Sequence, residues 1–436
     1  MRPVLELELS GMAHGGEALG RHQGRVVFVA YSIPGERVRV EVVEEHPRWS
    51  RARLLEVLEP SPHRVEPPCP HFGTCGGCQW QHIEYQAQVV FKRDILRDQL
   101  HRLARFAHPP VAGAIPSPDP WAYRNHLQLS VTPDGGLGFL DVSGTRVMPI
   151  EICLLPHPLV WEMVEMMEIR DGRMVTWSGG RLVGSGDQQT IGPKDQKTKR
   201  PKERLSLRAG IRTGERMMVF ETEGDLPPEI EVDVPISCVL LMEDGTPVNL
   251  IGRNWLAEEL AGRRFRISAG SFFQVNTPQA ERLIEAVGQF LDPQGKETLL
   301  DLYCGVGTFA LCLADRVGRV IGIESYGPAV ADARANARQD EPVEFIEGRA
   351  EEVLAQLDLP LEAVIVDPPR AGCGSEVLRE LIRLSPSRLI YVSCNPATLA
   401  RDARRLAEAG YRLEAVQPVD MFPQTYHIES VSLFVW

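Results

Sequence analysis

The chain has 436 residues, 47 Lys and Arg against 59 Asp and Glu, and a formal charge of -12, which is too long for one ordinary core and implies several domains. The acidic balance argues against nucleic-acid binding by bulk electrostatics alone, and no apolar run approaches a bilayer-spanning length, so a soluble cytoplasmic protein is expected. Nine cysteines without a signal peptide favour metal binding or catalysis over a disulfide framework.

Residues 1–60 alternate apolar and polar side chains over Val4–Leu9, Arg25–Val29, Arg37–Val43 and Arg51–Leu58, with turns at Gly15-Gly16 and Pro34-Gly35. Short strands at this spacing predict a small β-barrel. Its arginines, Arg37, Arg39, Arg48, Arg51 and Arg53, lie among Glu36, Glu41, Glu44 and Glu45, a mixed-sign surface. Pro60, Pro62, Pro67, Pro68 and Pro70 mark a linker into a second region, 61–265. There Cys69, Cys75 and Cys78 form C-x5-C-x2-C among glycines that let the chain wrap closely. Three thiols so near one another imply a metal centre, with Cys153 of EICLLP as the best available fourth ligand. Zinc and an iron–sulfur cluster both accept four thiolates, and spacing leaves that choice open.

An apolar-periodic helix is expected from about Glu84 to Leu103, a candidate to pack on the catalytic domain. Residues 111–265 read as mixed, mostly β structure, interrupted by a Gly/Gln/Pro-rich loop at 178–203. The basic run Lys194, Lys197, Lys199, Arg200, Lys202, Arg204 and Arg208 suits either a solvated loop or an RNA contact.

From 266 to 436 a third region changes to regular alternation. Strands are expected at Leu299–Cys304, Val320–Glu324, Val343–Ile346, Ala363–Asp367 and Leu389–Cys394, each followed by a helix. Two further strands, Arg412–Val416 and Ser430–Val435, have no helix pattern between them. This predicts a Rossmann-like α/β domain, a parallel sheet ending in an antiparallel pair. Ligands of such sheets collect beyond the carboxyl ends of the strands, so DLYCGVG (301–307), DPPR (367–370) and SCNP (393–396) should meet in one cleft.

Gly305 and Gly307 allow a tight turn against a ligand, and Glu324 ends the next strand, placed to accept hydrogen bonds from both hydroxyls of a ribose. That spacing fits NAD or S-adenosylmethionine, but no third glycine follows at Thr308–Leu311, which disfavours a pyrophosphate. Cys394 opens a loop on the ligand side, where the positive end of the next helix is expected to raise its thiolate fraction. Asp367 before Pro368-Pro369 alone also suits methylation of an exocyclic amine; the neighbouring thiol points elsewhere. Carbon-5 of uracil becomes nucleophilic only after a thiolate adds to carbon-6, and a base must later remove the carbon-5 proton. Glu429 is the candidate base and His427 its competitor.

With DLYCGVGTF, DPPRAG, SCNP and the HIES segment at 427–430 in this order, most of the chain resembles the RNA uracil-5-methyltransferase family. The resemblance implies methylation of uridine by S-adenosylmethionine, with Cys394 as nucleophile and Glu429 as base. It also implies ligand contacts from Gln274 (in SFFQVN, 271–276), Tyr303, Glu324 and Asp367, whereas Arg349 stands where a small polar or acidic adenine contact is usual. The cysteine segment resembles the branch acting on 23S ribosomal RNA, which implies a 4Fe-4S cluster, and the N-terminal barrel looks like a TRAM domain, an RNA-binding module of the oligonucleotide-binding type. A monomer acting on RNA, ribosomal rather than transfer RNA, is therefore expected. Phe272 and Phe273 are candidates to stack on an extruded base. An amino-group methyltransferase and a non-catalytic RNA-binding scaffold are the competing readings.

Overall fold

The structure is a computed structural model describing residues 2–131, 137–170, 174–177, 180–183, 204–221, 229–230 and 234–436. The basic positions Lys194, Lys197, Lys199, Arg200 and Lys202 lie outside the described residues; Arg204 and Arg208 lie on the strand Arg204–Ala209.

The N-terminal strands Val4–Met12, Ala18–His22, Arg25–Val29, Arg37–Glu45 and Trp49–Glu59 close into a barrel. Alternation decides which side chains fill it: Leu7, Leu9, Val27, Val29, Val38 and Val40 pack inside. The strand Ala18–His22 was not anticipated, because its composition is poor in β-formers. Gly20 explains how it pairs so closely, since a Cβ there would sit 2.6 Å from the Glu8 carbonyl. On the outside, Arg37 and Arg39 pair with Glu6, Glu56 and Glu59, Arg51 with Glu17 and Glu44, and Arg53 with Glu41. The mixed-sign surface is thus self-neutralising rather than a basic track.

A central seven-stranded sheet has the order 247–251, 237–241, 216–221, 204–209, 126–131, 137–140, 147–149. The hairpin Trp255–Leu260 and Arg263–Ser268 leads out of it, and Leu256, Phe265 and Ile267 join the core beneath the C-terminal sheet. That sheet has the order 343–347, 319–324, 298–302, 363–366, 388–393, 429–435, 412–419. Its first five strands are parallel and 429–435 runs antiparallel to both neighbours, as the helix-free terminal pair suggested. Both faces are buried: Leu299, Ile365, Ile390 and Val392 pack toward helix Thr277–Leu291, while Leu300, Val364, Val366 and Leu389 pack toward helix Pro396–Glu408. The helix Tyr85–Arg102 joins the second face through Ile95, Leu96 and Leu100. No helix is long and apolar enough to cross a membrane among the described residues.

Candidate active site

Strand Thr298–Leu302 is flanked by 319–324 on one side and 363–366 on the other, so the connections diverge there and open a crevice at the carboxyl ends. Tyr303, directly after this strand, has φ 62°, and Gly305 and Gly307 follow at 56° and 85°. A non-glycine residue in that region is uncommon and marks a turn held by its surroundings. A Cβ on Gly305 would meet nothing within 4 Å, so the loop leaves open space in front of it, whereas one on Gly307 would press on Leu311 and Phe345. Glu324 Oε2 accepts from Gly305 N at 3.2 Å, and its Oε1 accepts from Ser325 N and Tyr326 N at 2.7 and 2.8 Å. The carboxylate is thereby fixed at the mouth of that space, suited to a ribose diol. Arg349 is exposed and paired with Glu351 and Glu352.

Asp301, on the strand Thr298–Leu302 just before this loop, was missed as a site residue, although it opens the quoted motif. It is fully buried, its Oδ2 accepts from Ala310 N at 2.9 Å, and its Oδ1 has no partner among the described residues. Burial, then Asp367 and Glu324, push its carboxyl up to about 8. Only burial distinguishes it from an ordinary strand-end aspartate, and burial is not written in the motif.

The candidate reacting groups lie at the next three strand ends. Ser393 pairs with Ser430 across the antiparallel ladder, which sets Cys394 and Glu429 as the next facing residues, while Asp367 ends the adjacent strand. Glu429 is buried and Cys394 half-buried. Burial chiefly, then Glu429 and Asp367, push the Cys394 thiol up to about 12, opposed by Arg370. Asp367 and Glu429 are both raised by burial, and Glu429 further by Asp367. The expected activation of the thiol by the following helix is therefore outweighed: the helix Pro396–Glu408 is present and capped by Asn395, but desolvation and two carboxyls act the other way. Desolvation and the two carboxyls thus favour the protonated form of the Cys394 thiol, and a positive charge nearby would lower all three groups.

Because only thiolate reacts with iodoacetamide, alkylation of the Cys394 peptide, followed by mass spectrometry, should rise about tenfold per pH unit from roughly pH 7 to 9. A plateau below about pH 8.5 would show that the thiol is not held up.

The loop bearing Asp367 is locked to the loop bearing Cys394. Asn395 Nδ2 and Thr398 Oγ1 donate to the Arg370 carbonyl at 3.2 and 3.3 Å, and Arg401 Nη2 donates to those of Ala371 and Cys373 at 3.0 and 3.1 Å. His427 Nδ1 lies 3.2 Å from Arg370 Nη2, and burial followed by Arg370 lowers the imidazole to about 3. Such a ring stays neutral and is a poor proton acceptor, which favours Glu429 as the base.

SFFQVN approaches from the hairpin side. Asp332, fully buried and also missed, accepts from Ser268 N, Ser268 Oγ and Ser271 Oγ at 2.7 to 2.8 Å, tying this segment to the helix after Glu324. Gln274 is buried, with its carbonyl accepting from Asn125 Nδ2 at 2.9 Å. Asn276 caps helix 277–291 and donates to the Met421 carbonyl at 3.3 Å, next to the segment that leads to Glu429. Phe273 packs against Phe265, but Phe272 is 68% exposed.

Away from this cleft, Cys69, Cys75, Cys78 and Cys153 line a single cavity of about 170 Å³, together with Arg124 and His71, whose Nε2 has no partner among the described residues. Burial raises Cys78 to about 12 and Cys153 to about 11, and in each case neighbouring thiols of the set add to the rise while Arg124 opposes it. Four sulfurs bordering one space, with Cys75, Cys78 and Cys153 raised by burial, fit a group that brings positive charge. Among the described residues, however, no group of three or more His, Cys, Asp or Glu side chains is drawn together closely enough to hold a metal ion. The metal expected at these cysteines is therefore not shown; they border a cavity rather than converge on a point.

The family model described as tRNA (Uracil-5-)-methyltransferase matches residues 250–435, and the TRAM domain matches residues 2–55. An uncharacterized RNA methyltransferase of Thermosynechococcus vestitus is 36% identical over 99% of this chain and 97% of its own length. Another, from Caldanaerobacter subterraneus, is 37% identical over 98% and 97%. Among solved structures, a tRNA (uracil-54, C5)-methyltransferase of Pyrococcus abyssi in complex with S-adenosyl-L-homocysteine is similar with a TM-score of 0.72 at 28% identity, covering 99% of both chains.

Proposed function

Since the chain belongs to the RNA (uracil-5-)-methyltransferase family, enzymes dependent on S-adenosylmethionine, we propose that it methylates carbon-5 of a uridine through a covalent bond from Cys394 to carbon-6. The observation that carries this reading is the ladder register that sets a half-buried thiol opposite a buried carboxyl, with a second carboxyl on the adjacent strand. S-adenosylmethionine supplies an electrophilic methyl group and a positive charge. Cys394 gives its proton to Asp367 and adds to carbon-6, leaving the ring electron-rich at carbon-5 and Glu429 free to accept a proton later. After carbon-5 has taken the methyl group, Glu429 removes the proton there, the ring double bond re-forms and the Cys394 sulfur leaves. Gly305, Tyr303 and Glu324 hold the cofactor, Asp367 and Gln274 face both cofactor and uracil. Formation of 5-methyluridine in unmodified RNA, read by nucleoside mass spectrometry, tests this; methylation of an exocyclic amine instead would refute it.

Phe272 is the stacking partner for the extruded base. Phe272→Ala should weaken RNA binding by about 1 to 3 kcal/mol in a filter-binding titration and leave the thermal midpoint unchanged, since the ring covers no core. Unaltered affinity would remove it from the site.

The same reading divides the chain into an RNA-binding barrel (1–60), a central region with the cysteines (61–265) and the catalytic domain (266–436). The RNA is proposed to be 23S ribosomal RNA, on the likeness of the cysteine segment. A second reading, transfer RNA, is favoured by the full-length similarity to the Pyrococcus abyssi enzyme, which extends over the barrel. Mass mapping of both RNAs from a deletion strain separates the two. Cys69, Cys75, Cys78 and Cys153 are proposed to hold a 4Fe-4S cluster with a structural or RNA-positioning role. Sulfurs around a cavity suit a multi-atom cluster better than one ion, and His71 and Arg124 supply polar groups beside it. Anaerobically purified protein should contain about four iron and four sulfide per chain, lost in Cys78→Ser; stoichiometric zinc would contradict the assignment.

A further inference from the structure

The segment from Asp420 to Ile428 joins strand Arg412–Val419 to Glu429, and donors from helix Tyr85–Arg102, the cysteine segment and Tyr123 hold its backbone. Lys92 Nζ, on helix Tyr85–Arg102, reaches Asp420 Oδ1 at 2.6 Å and the Phe422 carbonyl at 2.9 Å. Tyr123 OH donates to the Pro423 carbonyl at 3.1 Å, one residue from Arg124 in the cysteine cavity. The next carbonyl, that of Gln424, accepts from Gln79 N at 3.1 Å and Trp80 N at 3.0 Å, the two residues that follow Cys78. Trp80 Nε1 in turn donates to the Gly16 carbonyl of the barrel at 3.1 Å. Gly16 lies so close to this segment that a Cβ there would be 2.9 Å from Tyr426 Cβ.

Gln424 is the centre of this arrangement. It is 3% exposed, and its φ of 67° lies in the left-handed region, which a side chain of this kind adopts only where its surroundings over-determine it. Those surroundings are a reciprocal amide pair. Gln424 N donates to Gln88 Oε1 at 3.0 Å, and Gln88 Nε2 donates to Gln424 Oε1 at 2.9 Å. Gln88 Nε2 also reaches the carbonyls of Trp80 and Ile83 at 3.1 and 2.9 Å. A turn five residues before Glu429 is thus fixed by the cysteine segment, the N-terminal helix and, through Trp80, the barrel.

We propose that Gln424 is a positioning residue through which the cysteine centre sets the placement of Glu429, an inference that rests on the reading of Glu429 as the base. A group bound at Cys78 orders Gln79 and Trp80, which hold the Gln424 carbonyl; loss of that group loosens the turn. Glu429 acts only after methyl transfer, when it takes the carbon-5 proton, the carbon-6 to sulfur bond breaks and Cys394 is released. Loosening the clamp therefore slows release and spares methyl transfer, and methylated enzyme–RNA complex accumulates.

The test compares wild type, Gln424→Asn, Gln88→Leu and Glu429→Gln. Asparagine tolerates the left-handed backbone but is too short for the amide pair, and leucine keeps the shape of Gln88 without its amide. The substrate is bulk RNA from a strain lacking the enzyme, with tritiated S-adenosylmethionine. In both glutamine-site variants, release should slow about tenfold or more while single-turnover methyl transfer stays within about threefold, and an SDS-stable labelled complex should appear. Hydrogen exchange across 422–428 should rise in these variants, and also in wild type after chelator removes the cavity's metal. Equal loss of both steps without complex, or exchange that ignores metal removal, overturns the proposal. If Glu429→Gln itself gathers no complex, the assignment of the base has failed; if it does and Gln424→Asn does not, only the positioning role has failed.

Discussion

Cys394→Ala should lose methyl transfer almost completely, by roughly 10⁴-fold or more in single-turnover rate, because nothing else in the site activates carbon-5 of uracil. The uncatalysed ring is a poor nucleophile, and no neighbouring group replaces a sulfur: of the other thiols near this sheet, Cys304 and Cys373 are buried in its core and Cys312 packs against it from helix Thr308–Leu313. The fold should survive, since Cys394 is only half-buried and its loop is held by Asn395, Thr398 and Arg401 rather than by the thiol. RNA and cofactor affinity should change little. Residual activity above about 1% of wild type would mean that the methyl group reaches its acceptor without a covalent step, as the amino-group reading requires.

Glu429→Gln should separate the two halves of the reaction. The amide fills the same buried space on the strand Glu429–Val435 and removes the proton acceptor, so turnover should fall by about 10² to 10⁴, the usual contribution of a general base. Methyl transfer in the first turnover should persist, with enzyme trapped on its RNA. His427 cannot take over, because burial and Arg370 keep its ring a weak base. The amide also removes one of the two carboxyls that hold the Cys394 thiol up, so the first step should not be slower for electrostatic reasons. Normal turnover in this variant, measured by nucleoside mass spectrometry, would return the role to another group.

Much of this arrangement was legible in the sequence because strand ends announce themselves. The runs before Asp301, Asp367 and Cys394 are apolar and short, each is followed by a loop with chemistry in it, and parallel topology brings such loops together. The helix-free terminal pair correctly signalled an antiparallel edge, and its register brings Glu429 to Cys394. What stayed hidden depends on contacts distant in sequence. The clamp on Gln424 joins residues 336 apart, as Gln88 and Gln424, and no local pattern marks either glutamine. Asp301 and Asp332 look like surface acids until the fold buries them. The direction of the Cys394 shift was missed for the same reason: a helix terminus can be read from Asn395-Pro396, whereas desolvation by distant segments cannot. The barrel's fourfold repetition of alternating runs was clear, yet its second strand rests on one close backbone approach at Gly20. The same barrel does not choose between RNA classes, as the Pyrococcus abyssi tRNA enzyme is matched over 99% of both chains.

RNA bearing 5-fluorouridine tests the covalent step most directly, because fluorine at carbon-5 cannot be removed as a proton and the adduct is trapped after methyl transfer. Incubation with S-adenosylmethionine, digestion and peptide mass spectrometry should return the peptide containing Cys394 joined to a methylated fluorouridine nucleotide, absent in Cys394→Ala. Turnover of normal RNA with no such peptide from the fluorinated RNA, or an adduct on any other residue, would contradict the account.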